Sequence, residues 1–182
     1  MDEIAAPDRG APIADGDRGP DEAYPIRIAR DGVWFYHGSP IGRIALTKLF
    51  ATVLKRDDAG DFWLITPAER GRIVVEDAPF VAVELRAEGS GEAQDLRFRT
   101  NLDEWVTAGA DHPIRVSFDP LSQEPSPYIL IRDRLEARIG RAVFYELVEL
   151  AVEHTTPRGT ELGIWSNRKF FPLGQASPDS PT

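Results

Sequence analysis

The chain has 182 residues, is 42% hydrophobic, carries a net charge of −9 and contains no cysteine. That length and apolar content supply a sizeable core, while the lack of thiols excludes disulfides, thiol catalysis and thiolate metal sites and fits a reducing compartment. No long apolar run and no basic-then-apolar start is present, so neither a membrane span nor a secretory signal is expected and the address is read as cytoplasmic.

Residues 1–22 hold seven acids against Arg9 and Arg18 and are rich in Asp, Gly and Pro, so a disordered acidic leader is expected there, with a similar tail over 175–182. With so little clustered Lys and Arg, duplex nucleic acid is excluded as a bulk-electrostatic partner. Strands are expected over 26–29 and 33–36, turned at Asp31-Gly32. Ser39-Pro40 reads as a helix start, Ser39 capping and Pro40 in the first turn, and the helix runs to about Lys55. Strands follow over 62–66, 73–76 and 80–87, the last alternating Val81, Val83 and Leu85 against Ala82, Glu84 and Arg86. After the Gly89-Ser90-Gly91 turn come strands over 95–100, 104–107, 114–118 and 128–131. Leu135, Ala137 and Ile139 then alternate with Arg134, Glu136 and Arg138; a second helix is read over 141–154 and a closing strand over 162–166.

Within this order the chain repeats itself. Ile41-Gly42-Arg43 and Ile139-Gly140-Arg141 each open a helical pattern, preceded by Arg30-Asp31 and Arg132-Asp133. Leu46, Leu49, Phe50, Val53 and Leu54 align with Phe144, Leu147, Val148, Ala151 and Val152, the stripe of a helix with one buried face. The expected class is therefore α+β, an internal duplication of a strand-strand-helix-strand unit with mainly antiparallel sheets: a first repeat domain over 23–88 and a second over 89–174. Duplicated halves create a seam, a common place for small ligands.

Chemical signatures are sparse. His37-Gly38-Ser39 lacks the glycine spacing of a nucleophile elbow, and a helix cap explains Ser39. His37, His112 and His154 are too far apart in sequence for a helical metal pair, and no metal or other cofactor is expected. Neither a dinucleotide fingerprint nor a Walker loop occurs. Arg70-Gly71-Arg72 and the series Arg132, Arg134, Arg138, Arg141 are the best local cations. Trp34, Trp63 and Trp165 lie on expected strands, where packing is the simpler role and stacking on a base the alternative. The helices' outer faces differ in sign: Lys48 and Lys55 correspond to Glu146 and Glu153, so the faces either stay solvated or pair within the chain or across a dimer.

Taken together, Asp31-Gly32-Val33-Trp34, Gly38-Ser39-Pro40-Ile41-Gly42-Arg43, Leu49-Phe50-Ala51, Thr66-Pro67, Glu76-Asp77-Ala78-Pro79-Phe80, Thr100-Asn101 and Pro127-Tyr128 resemble domain-of-unknown-function family 1285 of proteobacteria, over about residues 23–173. The resemblance implies a duplicated fold with a pleckstrin-homology-like second half, a site between the halves for a nucleotide-like ligand, and a role in signal transduction. Thr47 departs from the pattern, where an aliphatic residue is expected.

The leading expectation is a non-enzymatic sensor holding a small anionic ligand at the seam. Trp34 and Tyr128 are expected to stack on it, His37, Arg43, Arg72 and Arg132 to hold its charge, and Thr66, Glu76, Asp77 and Asn101 to recognise its polar groups. The alternatives are an interaction module for a signalling protein and, more weakly, a hydrolase using His37 with Asp77 or Glu76.

Overall fold

The computed structural model describes residues 22–175; the expected leader other than Glu22, and the expected tail other than Gln175, lie outside them. The described chain is mostly β with two helices. Strand β1 (Glu22–Ile28) makes a hairpin with β2 (Trp34–Tyr36), whose outer neighbour is the two-residue β3 (Ser39–Pro40). Helix α1 (Ile44–Thr52) follows, then the antiparallel β4 (Leu54–Arg56), β5 (Phe62–Ile65) and β6 (Arg70–Val75). The parallel pairing of β6 with β1 joins these into one six-stranded sheet of order β3-β2-β1-β6-β5-β4.

The next six strands form a second sheet. Strands β7 (Phe80–Glu88), β8 (Asp95–Thr100) and β9 (Trp105–Thr107) pair antiparallel, as do β10 (Ile114–Phe118), β11 (Pro125–Arg132) and β12 (Leu135–Ile139). The order β10-β11-β12-β7-β8-β9 is joined by a parallel β12–β7 pair. Helix α2 (Arg141–Glu149) leads to a third, antiparallel sheet of β13 (Val152–Thr156), β14 (Gly159–Ser166) and β15 (Lys169–Gln175). The chain passes from first sheet to second between Val75 and Phe80, whereas the expected boundary at residue 88 falls at the end of β7.

This two-part architecture is consistent with a duplication. Each helix is preceded by a hairpin with an Arg-Asp pair at its turn and followed by a three-stranded antiparallel meander. The expected unit has one strand after each helix; the expected helices overrun β4 and β13, and β15 is not expected at all. Thr52 turns its hydroxyl onto the Leu49 carbonyl at 2.6 Å, Val53 leaves helical geometry, and Leu54 pairs with Leu64. In the second copy Val152, Thr155 and Thr156 are β-branched residues that favour the pleated pairing they find against Gly159–Gly163.

The start of α1 is also corrected. Ser39 caps nothing and Pro40 is not helical; both pair with Tyr36 and Phe35 as the edge of the first sheet. His37 and Gly38 have φ of 47° and 79°, the paired positive angles of a two-residue hairpin turn. The helix begins beyond them, with Arg43 in the capping position and no side-chain cap.

The apolar stripe shifts as well. Thr47 and Ala51 are the buried residues of α1, while Leu46 and Leu49 are exposed; in α2 the buried residues are Val143 and Leu147. The triplets cause the misalignment, since Arg43 precedes α1 but Arg141 is the first residue of α2. Thr47, the departure from the family pattern, thus sits at the core-facing position. In β7 Phe80 and Ala82 face inward and Val83 outward by ordinary alternation, and a bulge between Ala82 and Glu84 then brings Leu85 onto the core side opposite Phe98. Leu135, Ala137 and Ile139 are buried as their alternation expects.

A continuous core runs through all three sheets, from Ile28, Trp34 and Leu54 through Phe80, Phe98, Ile129 and Leu135 to Leu147 and Ile164. Ser166 ties the third sheet to the second, its buried hydroxyl accepting from Leu96 N–H at 2.9 Å and donating to the Ala108 carbonyl at 2.8 Å. Gly71 is required in β6, since a Cβ there would lie 2.3 Å from the Tyr24 ring.

Candidate site at the seam between the halves

The first sheet and α1 meet the second sheet along a line of polar contacts. At one end the Asp31-Gly32 turn docks on Asn101, whose side chain accepts from Val81 N–H at 3.0 Å and donates to the Gly32 carbonyl at 3.3 Å. A Cβ on Gly32 would approach Asn101 Nδ2 to 2.6 Å, and the φ of +86° there disfavours any other residue. Next to this, Asp77 is the hub of a charged cluster. Tyr128 donates to it at 2.7 Å, and Arg138 and Arg30 lie 3.6 and 3.9 Å from its other oxygen. Burial, then the hydrogen bond to the Asp77 carboxylate, pushes the Tyr128 phenol above its ordinary value. Arg115 stacks over the Tyr128 ring at 4.2 Å and pairs bidentately with Glu136, which raises its own pKa.

Further along, the turn between β11 and β12 clasps the end of α1. Arg132 donates to the carbonyl of Ala51 at 2.7 Å, satisfying one of the acceptors that a helix C-terminus leaves open. Lys48 pairs with Asp103 at 2.7 Å and Lys55 with Asp133 at 3.2 Å. The hydrogen bond from Lys48 holds the Asp103 carboxyl below its ordinary range. Both lysines therefore pair within the chain, but with aspartates of the second sheet's turns and not with Glu146 or Glu153.

These contacts frame a groove of about 460 Å³ in which Lys48, Lys55 and Arg132 stand around a floor that includes Ala51, Phe80 and Leu102, with Glu104 and Asp133 at its edge. Arg132 bridges floor and rim, its guanidinium 5.5 Å from the Phe80 ring centroid and 3.6 Å from Glu104. A second seam groove of about 530 Å³ lies beside the β4–β5 turn, with Arg56, Arg115 and Arg134 facing Asp57, Asp58 and Glu136. Asp58 pairs with Arg134, and Asp57 is held by the Trp63 indole N–H, the main reason its carboxyl sits below the ordinary range.

The ten expected ligand residues do not converge on one cavity. Glu76, Asp77 and Tyr128 come together in the cluster around Asp77, where Glu76 pairs with Arg27 and accepts from Arg30 N–H. Arg132 alone among the ten lines the 460 Å³ groove. Asn101 holds the two halves together. Trp34 is 2% exposed and stacks on Phe50 inside the core, leaving no free ring face. His37 lies on the β2–β3 turn against Tyr36, and neither Asp77 nor Glu76 makes an ion pair or hydrogen bond with it. Arg43 stands exposed before α1, Thr66 closes the β5–β6 turn against Glu69, and Arg72 pairs with Asp61 beside Trp63.

The rest of the groove lies outside the ten, including Lys48, Lys55, Phe80 and Leu102. The sign difference between the helices singles out both lysines, but their partners lie on turns 55 and 78 residues away. Among the described residues no group of three or more His, Asp or Glu stands close enough to hold a metal, and no helix is long and apolar enough to cross a membrane.

Two family models match the chain: the N-terminal domain of unknown function DUF1285 over residues 12–78, and the C-terminal domain of the DUF1285 protein of unknown function over 79–173. Similar solved structures include a DUF1285 protein from Silicibacter pomeroyi DSS-3, 41% identical with a TM-score of 0.80, the match covering 94% of this chain and 91% of that one. Another is from Shewanella baltica OS155, 27% identical with a TM-score of 0.55, covering 69% and 91%. No curated protein matches.

Proposed function

The chain belongs to the DUF1285 family, and on that premise we propose that it is a non-enzymatic cytoplasmic protein of bacterial signal transduction that holds a small anionic, nucleotide-like ligand at the seam of its halves. One observation carries the reading: Lys48 and Lys55 from the first half and Arg132 from the second converge over Phe80 and Leu102. A phosphate suits the cations, and the half-buried Leu102 offers an apolar contact, Phe80 being 1% exposed beneath Arg132. The volume of about 460 Å³ lies within the range of small-molecule sites. The carboxylates now facing the lysines, Asp103 and Asp133, are more than half exposed. Such pairs are weak in water, so an incoming phosphate replaces them at little cost.

A thermal-shift screen of nucleotides and other anionic metabolites tests this. Binding to the folded state alone raises stability by about 2.7 kcal/mol at a hundredfold excess over Kd. Stabilisation is expected for the wild type and not for Lys55→Glu; no stabilisation by any compound at millimolar concentration refutes the reading.

The finer pleckstrin-homology likeness of the second half belongs to the same proposal, supported by its largely antiparallel sheets with α2 against β7. A second reading, an interaction module for a signalling protein, is favoured by the exposed Ile44, Leu46 and Leu49 on α1. Pull-downs with and without residues 1–22 separate a partner that docks on the leader from one that docks on the folded body.

A further inference from the structure

Each helix turns a large apolar side chain straight away from the core. Leu49 stands two residues from both Thr47 and Ala51, and Tyr145 two residues from both Val143 and Leu147, so each lies about 200° around its helix from the buried positions. They are 62% and 59% exposed, an arrangement that costs solubility and that nothing in the fold of the single chain uses.

Their surroundings are complementary. Beside α1 lies a cleft of about 310 Å³ walled by Tyr36, Ser39, Pro40, Ile41, Leu46 and Phe50, mostly apolar and large enough for a phenol ring. The cation next to it is Arg43, whose side chain makes no ion pair or hydrogen bond among the described residues. On α2 the exposed charges beside Tyr145 are Arg141, one turn before it, and Glu146 and Glu149 after it, and the two glutamates make no ion pair or hydrogen bond among the described residues. Lys48 and Lys55 pair with Asp103 and Asp133 across the seam, but the glutamates of α2 remain unspent.

We propose that the protein associates with a second copy of itself through these two faces, Tyr145 of one copy entering the α1 cleft of the other and its flanking glutamates meeting Arg43. An aromatic anchor in an apolar pocket, with opposite charges at the rim, is the arrangement that concentrates binding energy in an interface. Made reciprocally about a two-fold axis, the contact closes as a dimer. The inference is independent of the seam ligand, since none of these residues lines the 460 Å³ groove.

Sedimentation velocity of the full chain across the micromolar range tests it. The wild type is expected to form a dimer, and Tyr145→Ala and Leu49→Arg each to weaken it by about tenfold or more, with unchanged circular dichroism and, at concentrations where wild type and variants are monomeric, an unchanged melting temperature. Arg43→Glu and Glu149→Arg are each expected to weaken the dimer, and the two substitutions together to restore it. A chain that stays monomeric throughout overturns the proposal, as does a dimer that both Tyr145→Ala and Leu49→Arg leave intact, or one that the paired charge reversal fails to restore.

Discussion

The two helices follow the same kind of hairpin and lead into the same kind of meander, yet α2 is held from beneath and α1 from the side. Helix α2 sends Val143 and Leu147 into the core, 2% and 0% exposed, and each helix closes its last turn with its own backbone, Leu150 N–H donating to the Glu146 and Leu147 carbonyls and Val53 N–H to the Phe50 carbonyl. Of α1 only the small Thr47 and Ala51 are fully buried, with Phe50 packed half-buried on Trp34, and the second half grips the helix: Arg132 donates to the Ala51 carbonyl, and Lys48 and Lys55 reach Asp103 and Asp133. Burial scales with apolar area, so α2 gains more from its core face than α1 does. One copy of the unit has become a core element and the other a seam element, and the groove opens beside the seam element.

Substitutions that act on one helix at a time can break this contrast. The largest effect is expected from Leu147→Ala, which empties a fully buried site under α2 and costs about 2–5 kcal/mol in chemical denaturation. Arg132→Ala, on the other half from α1, is expected to cost about 1.5–3 kcal/mol through the lost charge-assisted bond to Ala51 and to loosen α1 selectively. Leu49→Ala, on the outward side of α1, is expected to stay within about 0.5 kcal/mol, the opposite outcome from Leu147→Ala. A loss of several kcal/mol at Leu49 instead would mean that α1, too, is seated through its leucines.

The smallest effect is a pH dependence. Lys48 depresses the Asp103 carboxyl below its ordinary value of 3.8, so the pair's contribution is fully present above that pH and is lost as pH falls through the lower folded value. The melting-temperature gap between wild type and Asp103→Asn is therefore constant near neutrality and shrinks only in strong acid. Asn is the suitable replacement because position 103 has φ of 64°, which Asn tolerates.

Much of this was legible in the residues. The strands with clear alternation, such as Leu135–Ile139, and the turn at Asp31-Gly32 stand where their patterns put them. What escaped was chemistry that a pattern does not encode. His37-Gly38 is a hairpin turn that resembles a helix start once Ser-Pro follows it, and Asn167-Arg168, with φ of 48° and 60°, makes a tight turn into β15 without a glycine to announce it. The bulge in β7 reverses inside and outside without changing the apolar pattern. At the site, Arg132 was legible as the cation of a repeated Arg-Asp pair. Phe80 and Leu102 were not, because hydrophobic residues on strands and turns read as core until a groove is seen to open over them.

The most direct test of the seam reading is hydrogen exchange across both helices, with and without excess ATP, GTP or inorganic pyrophosphate. The account predicts that α1 exchanges faster than α2 in the free protein, and that at least one of these anions slows exchange over residues 48–55 and 131–134 while leaving 141–149 unchanged. Exchange in α1 that equals that in α2 and responds to none of the three anions would contradict it.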